Sequence, residues 1–185
     1  MDAFEFLVSS LLNKEGYWVN TSYMVELTKE EKEFIGRPSS PRWELDLIAY
    51  KGSENQVLAV ECKSFFDSTG VRYAGVAGQD VVDAKRYKLF SDPVLRKTVL
   101  SRLAKQLVST GATAKSPKIT LCLATGKIAS AADRNNIRLL FKKNKWKLFD
   151  DEWIRDRLGR CASDGYQNNV AVVAAKILGR TKIVA

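Results

Sequence analysis

The sequence predicts an α/β fold: a mixed β-sheet that contains an antiparallel hairpin and is flanked by helices. Three observations carry that expectation. Two strand-like runs, 43–50 (WELDLIAY) and 57–64 (VLAVECKS), flank a polar turn at 51–56, which is a strong hairpin signal. The short β-prone apolar run at 119–124 reads as a buried strand. Around these runs apolar residues recur at helical spacing, beginning with Phe4, Leu7, Val8, Leu11 and Leu12.

Taken in order, residues 2–13 form an amphipathic helix that ends at Lys14-Glu15-Gly16, and 17–27 form a strand. The charged, proline-bearing stretch 28–42 reads as loop with room for a helical turn. After the hairpin, a glycine-bearing loop at 65–78 leads to a helix over 79–90. Ser91-Asp92-Pro93 then supplies a cap and a first-turn proline for a helix reaching Ser109. Beyond the strand at 119–124 come a basic helix over 130–143, a short strand at 146–149, and helical pieces at 152–161 and 168–178. Residues 1–150 make up the core and 151–185 a helical extension packed on it.

The 185 residues suffice for a real core without disulfides or structural metal, and 45% hydrophobic composition excludes wholesale disorder. There is no histidine, which removes Ser-His-Asp and Cys-His catalysis, histidine-ligated zinc and any imidazole base. Cys62, Cys122 and Cys161 form no CxxC pair and read as small buried hydrophobes in a reducing cytosol. The acidic N-terminus lacks the basic start of a signal peptide, and no apolar run reaches membrane-spanning length. A soluble, cytoplasmic protein is expected.

The net charge of +9 is unevenly divided. Residues 1–84 carry net −6, residues 85–118 net +8 and residues 127–147 net +6. Basic stripes beside an acidic centre suit a polyanion bound near a cation site, although many basic helices are only solvated faces.

The hairpin brings the acids together. With Tyr50 opposite Val57, Asp46 faces Glu61 and Glu44 faces Lys63. Strict alternation puts all four on one sheet face, with Leu45, Leu47, Leu58 and Val60 on the other. Opposed carboxylates repel, and a divalent cation held by oxygen ligands would relieve them. Ordinary ion pairs on a half-solvated strand are the competing explanation.

Glu44-Leu45-Asp46, a turn, then Glu61-Cys62-Lys63 resembles the PD-(D/E)XK nuclease superfamily, with its restriction-endonuclease-like fold. The leading helix with Glu5 and the Gly-Tyr-Trp-Val stretch at 16–19 bring it nearest to archaeal-type Holliday junction resolvases and Mrr-like nucleases, over about residues 1–125. Leu45 stands where the motif's name has proline, and Gln79 with Tyr87 does not reproduce the Gln-x-x-x-Tyr motif of RecB-like members. The resemblance implies Asp46, Glu61 and the Cys62 backbone carbonyl as ligands for Mg2+, with Mn2+ as a substitute. It implies Lys63 as the group that orients or deprotonates the attacking water, and Glu5 as a further ligand, directly or through water. Glu44 is left as a partner for Lys63, and Gln79 as a weak substrate contact.

Arg96, Lys97, Arg102, Lys105, Lys142 and Lys143 are then candidates for phosphate contacts, which position a nucleic acid without reading its sequence. The aromatic residues Phe65, Phe66, Trp146 and Trp153 read as core or loop anchors. Lys127 follows Ala-Thr-Gly but lacks the spacing of a phosphate loop. The expected function is a Mg2+-dependent DNA endonuclease, with RNA left open as substrate, no membrane partner and a homodimer possible. The alternative is a non-catalytic nucleic-acid-binding module on the same fold.

Overall fold

The computed structural model describes residues 2–39, 42–163, 165 and 167–180; positions 40–41 of the 28–42 loop and the tail 181–185 of the C-terminal extension lie outside them. In chain order the elements are α1 (Ala3–Lys14), β1 (Trp18–Val25), α2 (Lys29–Phe34), β2 (Trp43–Lys51) and β3 (Gln56–Lys63). They continue with α3 (Tyr73–Val76), α4 (Val81–Ala84), α5 (Lys88–Ser91), α6 (Pro93–Ser109) and β4 (Lys118–Thr125). The last are α7 (Ala131–Asn144), β5 (Lys147–Phe149), α8 (Asp151–Ser163) and α9 (Val170–Arg180). The strands form one open mixed sheet in the order β1-β2-β3-β4-β5. The first three are antiparallel neighbours, and β3, β4 and β5 run parallel.

This order follows from the strands' composition. β3 and β4 are apolar at consecutive positions and buried through most of their length, as a strand covered on both faces must be. A parallel neighbour requires a crossover, supplied between β3 and β4 by α3–α6 and between β4 and β5 by α7. The helices start where hydroxyl or carboxylate side chains close their first turns: Asp2 for α1, Thr28 for α2, Asp92 before Pro93 for α6 and Ser130 for α7. The hairpin turn is a 3₁₀ turn at Gly52–Glu54.

Two hydrophobic clusters occupy the two faces of the sheet. One joins Val57, Ala59, Leu121 and Leu123 to Leu95, Val99 and Leu103 of α6 and to Ile137 and Phe141 of α7. The other joins Leu58, Val60, Cys122 and Ala124 to Phe4, Val8 and Leu11 of α1, Ile154 and Cys161 of α8, and Val172 and Ala175 of α9. The C-terminal helices thus complete the second core layer. All three cysteines are free and buried. No described helix is long and apolar enough to cross a membrane.

One expected element is corrected. The helix over 79–90 is absent, and three separate helical turns, α3 to α5, take its place from Tyr73 onward. Gly78 at φ +75° ends the first turn, and Asp80 caps the second through the Val82 and Asp83 amides. Val81 and Val82 stay exposed while Tyr87, Leu89 and Phe90 are buried, so no continuous helical stripe was available to hold one helix together.

Candidate active site

The hairpin register is Tyr50 opposite Val57, continued to Leu47 opposite Val60. There the β2–β3 ladder ends, although β2 begins at Trp43 and β3 runs on to Lys63. At the opening, Asp46 Oδ2 accepts the Cys62 amide proton at 2.6 Å, a side chain taking up a backbone donor where the ladder stops.

Alternation breaks at this point. Leu47 and Ala49 pack in one cluster, whereas Trp43 and Leu45 pack in the other, with Ile48 and Tyr50. β1 breaks in step: Val19 belongs with Leu47, but Tyr23 and Val25 belong with Leu45. The residue of β1 beside the break is Ser22, held at φ 51° between the pairs Thr21–Leu47 and Tyr23–Leu45. The expectation of one charged face over an apolar face with Leu45 is therefore corrected. Both strands turn over at Ser22 and Asp46, which carries Leu45 to the opposite core and leaves Glu44 exposed.

Lys63 lies among the acids. Its Nζ is 3.8 Å from Asp46 Oδ2, 3.8 Å from Glu61 Oε2 and donates to the Cys62 carbonyl at 2.9 Å. No ion pair with Glu44 forms among the described residues, so the expected Glu44–Lys63 pairing is replaced by Lys63 with Asp46 and Glu61. Glu61 Oε1 is buried without a hydrogen-bond partner. Burial pushes the Glu61 carboxyl up to about 7; Lys63 pulls it back, and Asp46 and Glu44 add to the rise. Burial, then the charges of Asp46 and Glu5, push the Cys62 thiol far above its ordinary range, which leaves it an inert packing group.

Glu5 is near enough for its charge to act on Cys62, yet it also has a structural role. Its Oε2 accepts the Asp2 amide while Asp2 accepts the Glu5 amide, a closed capping box on α1.

The donor set suits a hard divalent cation. Asp46, Glu61 and the Cys62 carbonyl offer only oxygens, and the orphaned Glu61 Oε1 is an acceptor that calls for a proton or a cation. Lys63 already places one positive charge among these oxygens. Among the described residues no group of three or more acidic or cysteine side chains is gathered closely enough to enclose a metal, so the fit relies on two carboxylates and a carbonyl.

The basic candidates divide. The Arg96 guanidinium donates to the Leu89 and Phe90 carbonyls at 3.0 Å and stacks over Trp146. Arg102 holds Glu31 through two hydrogen bonds of 2.8 and 2.9 Å. Lys97 and Lys105 are exposed on α6. Lys142 and Lys143 are exposed in the last turn of α7, beside the start of β5, whose Lys147 reaches Gln56 at the start of β3. Glu61 lies five residues further along β3, roughly 16 Å away at ordinary strand rise. Gln79 is exposed in the turn between α3 and α4 rather than opening a helix. Among the aromatic residues, Trp146 packs on Phe90 and Phe141, and Trp153 on Phe149; Phe66 stands edge-on to Phe4 yet is more than half exposed.

No family model, curated protein or solved structure matches the chain.

Proposed function

We propose that the protein is a Mg2+-dependent DNA endonuclease of the PD-(D/E)XK kind, with a restriction-endonuclease-like core and its centre at Asp46, Glu61 and Lys63. The observation that carries this reading is the opened end of the hairpin. Two carboxylates, one carbonyl and one ammonium meet there, and one buried carboxylate oxygen is left without a partner. The likeness of Glu44-Leu45-Asp46 and Glu61-Cys62-Lys63 to the superfamily motif supports it.

In this reading Asp46, Glu61 and the Cys62 carbonyl hold Mg2+, which when bound supplies positive charge against the scissile phosphate. Asp46 stays oriented because its Oδ2 is anchored on the Cys62 amide. Lys63, fixed by the Cys62 carbonyl, positions the attacking water and offsets negative charge that builds on the phosphate. Glu5 adds negative charge from α1.

The test is a cleavage panel of linear, nicked, branched and single-stranded DNA and of RNA, with Mg2+, Mn2+ or EDTA. Cleavage by the parent that is lost in EDTA, and reduced at least 100-fold in Asp46→Asn and Lys63→Ala, is expected. Cleavage by either variant at the parent's rate sinks the assignment. A second reading is favoured by Lys63 itself, which already pairs with both carboxylates: a non-catalytic nucleic-acid-binding module in which the cluster is structural. Salt-sensitive DNA binding with no cleavage under any metal condition selects it.

A further inference from the structure

We propose that the cleft beside this cluster is a phosphate-binding subsite, which holds the nucleic-acid backbone next to the linkage to be cut; this rests on the nuclease reading above. The cleft has a volume of ≈ 240 Å³ and is lined by Phe65, Ser68, Thr69, Arg72, Arg86 and Tyr87, with one acid, Asp83, in its wall. Phe65 is two residues beyond Lys63, and both Phe65 and Tyr87 pack with Val57 and Ala59. That is the sheet face on which alternation along β3 places Glu61 and Lys63.

Its chemistry selects an anion rich in acceptor oxygens. Arg86 is exposed, and its guanidinium pairs with no described residue. Arg72 is tied through Nη2 to Asp80 and Asp83, which fixes its position, while its other side-chain donors bond to no described residue. Tyr87 is only 3% exposed, yet its hydroxyl bonds to no described residue and borders the cleft. Burial, then the Asp83 charge, push that phenol up to about 12 against the pull of Arg86 and Arg72, so at neutral pH it is a donor. Arg72 is offset by Asp80 and Asp83, so the cation the cleft offers an anion is Arg86, with the hydroxyls of Ser68, Thr69 and Tyr87 around it.

The wall is also rigid. The Val71 amide donates to the Lys127 carbonyl at 3.0 Å, the Ala129 amide to Val71 at 3.0 Å, and Lys127 Nζ to the Ser68 carbonyl at 2.6 Å. Gly70, at φ +97°, leaves no room for a side chain, since a Cβ would stand 3.0 Å from the Ile128 and Ala129 backbone. The loop bearing Ser68 and Thr69 is therefore pinned to the turn after β4, and a phosphate would meet donors already in place.

The experiment measures binding of a labelled DNA duplex across a salt series in Ca2+, and cleavage kinetics in Mg2+, for the full chain and its variants. Arg86→Ala should weaken binding roughly 3- to 10-fold at 0.1 M salt and lower the salt slope by about one. Its loss should appear as a raised KM with kcat within about twofold of the parent. Arg86→Lys should restore the slope, and Tyr87→Phe, which keeps the ring's packing, should weaken binding a few-fold without changing it. Lys115→Ala, at the hairpin-turn end of the sheet beside Asn55, is the control for loss of any surface charge. An Arg86→Ala protein with parental affinity and slope, or an equal effect from Lys115→Ala, overturns the subsite while the nuclease reading stands. A parent that neither binds nor cuts nucleic acid overturns both.

Discussion

Glu61 carries the sharpest consequence at the scale of a single residue. Its carboxyl holds a proton up to about pH 7 in the folded chain, because burial outweighs the attraction of Lys63. The unfolded chain releases that proton near pH 4.3. Between those values the folded state binds more protons, so stability is highest below the lower value and falls as pH rises through about 7. We therefore expect the melting temperature of the metal-free protein to decline between pH 5 and 8, and Glu61→Gln to flatten that decline. A parallel decline in both proteins would show that another group is responsible. If the proposed metal site is right, Mg2+ should stabilise the parent more at pH 8 than at pH 6, because cation and proton would compete for the same oxygen. Equal stabilisation at both values would remove Glu61 from the ligand set.

At the scale of elements, the site depends on a defect shared by two strands. β1 and β2 turn over together at Ser22 and Asp46, and the ladder between β2 and β3 stops one pair before Asp46 would join it. A serine at φ 51° carries a strain that glycine would not, and a β-branched residue carries more. Ser22→Gly should leave stability unchanged or raise it by up to about 1 kcal/mol, whereas Ser22→Val should cost about 1–2 kcal/mol in denaturant unfolding. In the proposed nuclease, where this break aims Asp46, Ser22→Val should also lower kcat more than it raises KM. A valine variant with parental stability and kcat would mean the strand turns over without help from Ser22. The three short turns at α3 to α5 have a related meaning: a loop too irregular for one helix places Arg72, Arg86 and Tyr87 around one cleft.

For the whole molecule, the two core layers are joined at Asp150, which follows β5. Its carboxylate, nearly fully buried, accepts from Arg134 at 2.9 Å, Arg138 at 2.7 Å and the Trp153 amide at 3.0 Å. The two arginines belong to α7 on one face and Trp153 to α8, whose buried residues serve the other. Burial alone would raise the Asp150 carboxyl; the Trp153 amide and the two guanidiniums outweigh it and hold it below the ordinary range. Its contribution is present above about pH 3.9 and is lost as pH falls below that value. Asp150→Ala should cost about 1–3 kcal/mol, because it removes the α8 cap and a buried acceptor, while Arg134 keeps Asp151 and Arg138 keeps Glu152, and should weaken the dependence of stability on acid. A loss under about 1 kcal/mol would mean the layers are held by apolar packing alone.

Legible in the sequence were the strands of the hairpin, the pairing of Tyr50 with Val57, the cap at Asp92, the burial of the cysteines and the meeting of Asp46, Glu61 and Lys63. These depend on residues close in the chain, or on a register that one turn fixes. Tertiary structure alone decided the break at Ser22 and Asp46, the three turns in place of one helix, and the partners of the basic side chains. Arg96, Arg102, Arg134 and Arg138 count toward the basic segments, yet each is bonded to a carbonyl or an acid of another part of the chain. Charge can be counted along a sequence, but its availability depends on which elements the crossovers bring together. Pairing leaves the net charge of +9 unchanged but decides which cations carry the excess, and Arg86, in the cleft with Arg72 and Tyr87, gains weight from the arginines that folding has already paired.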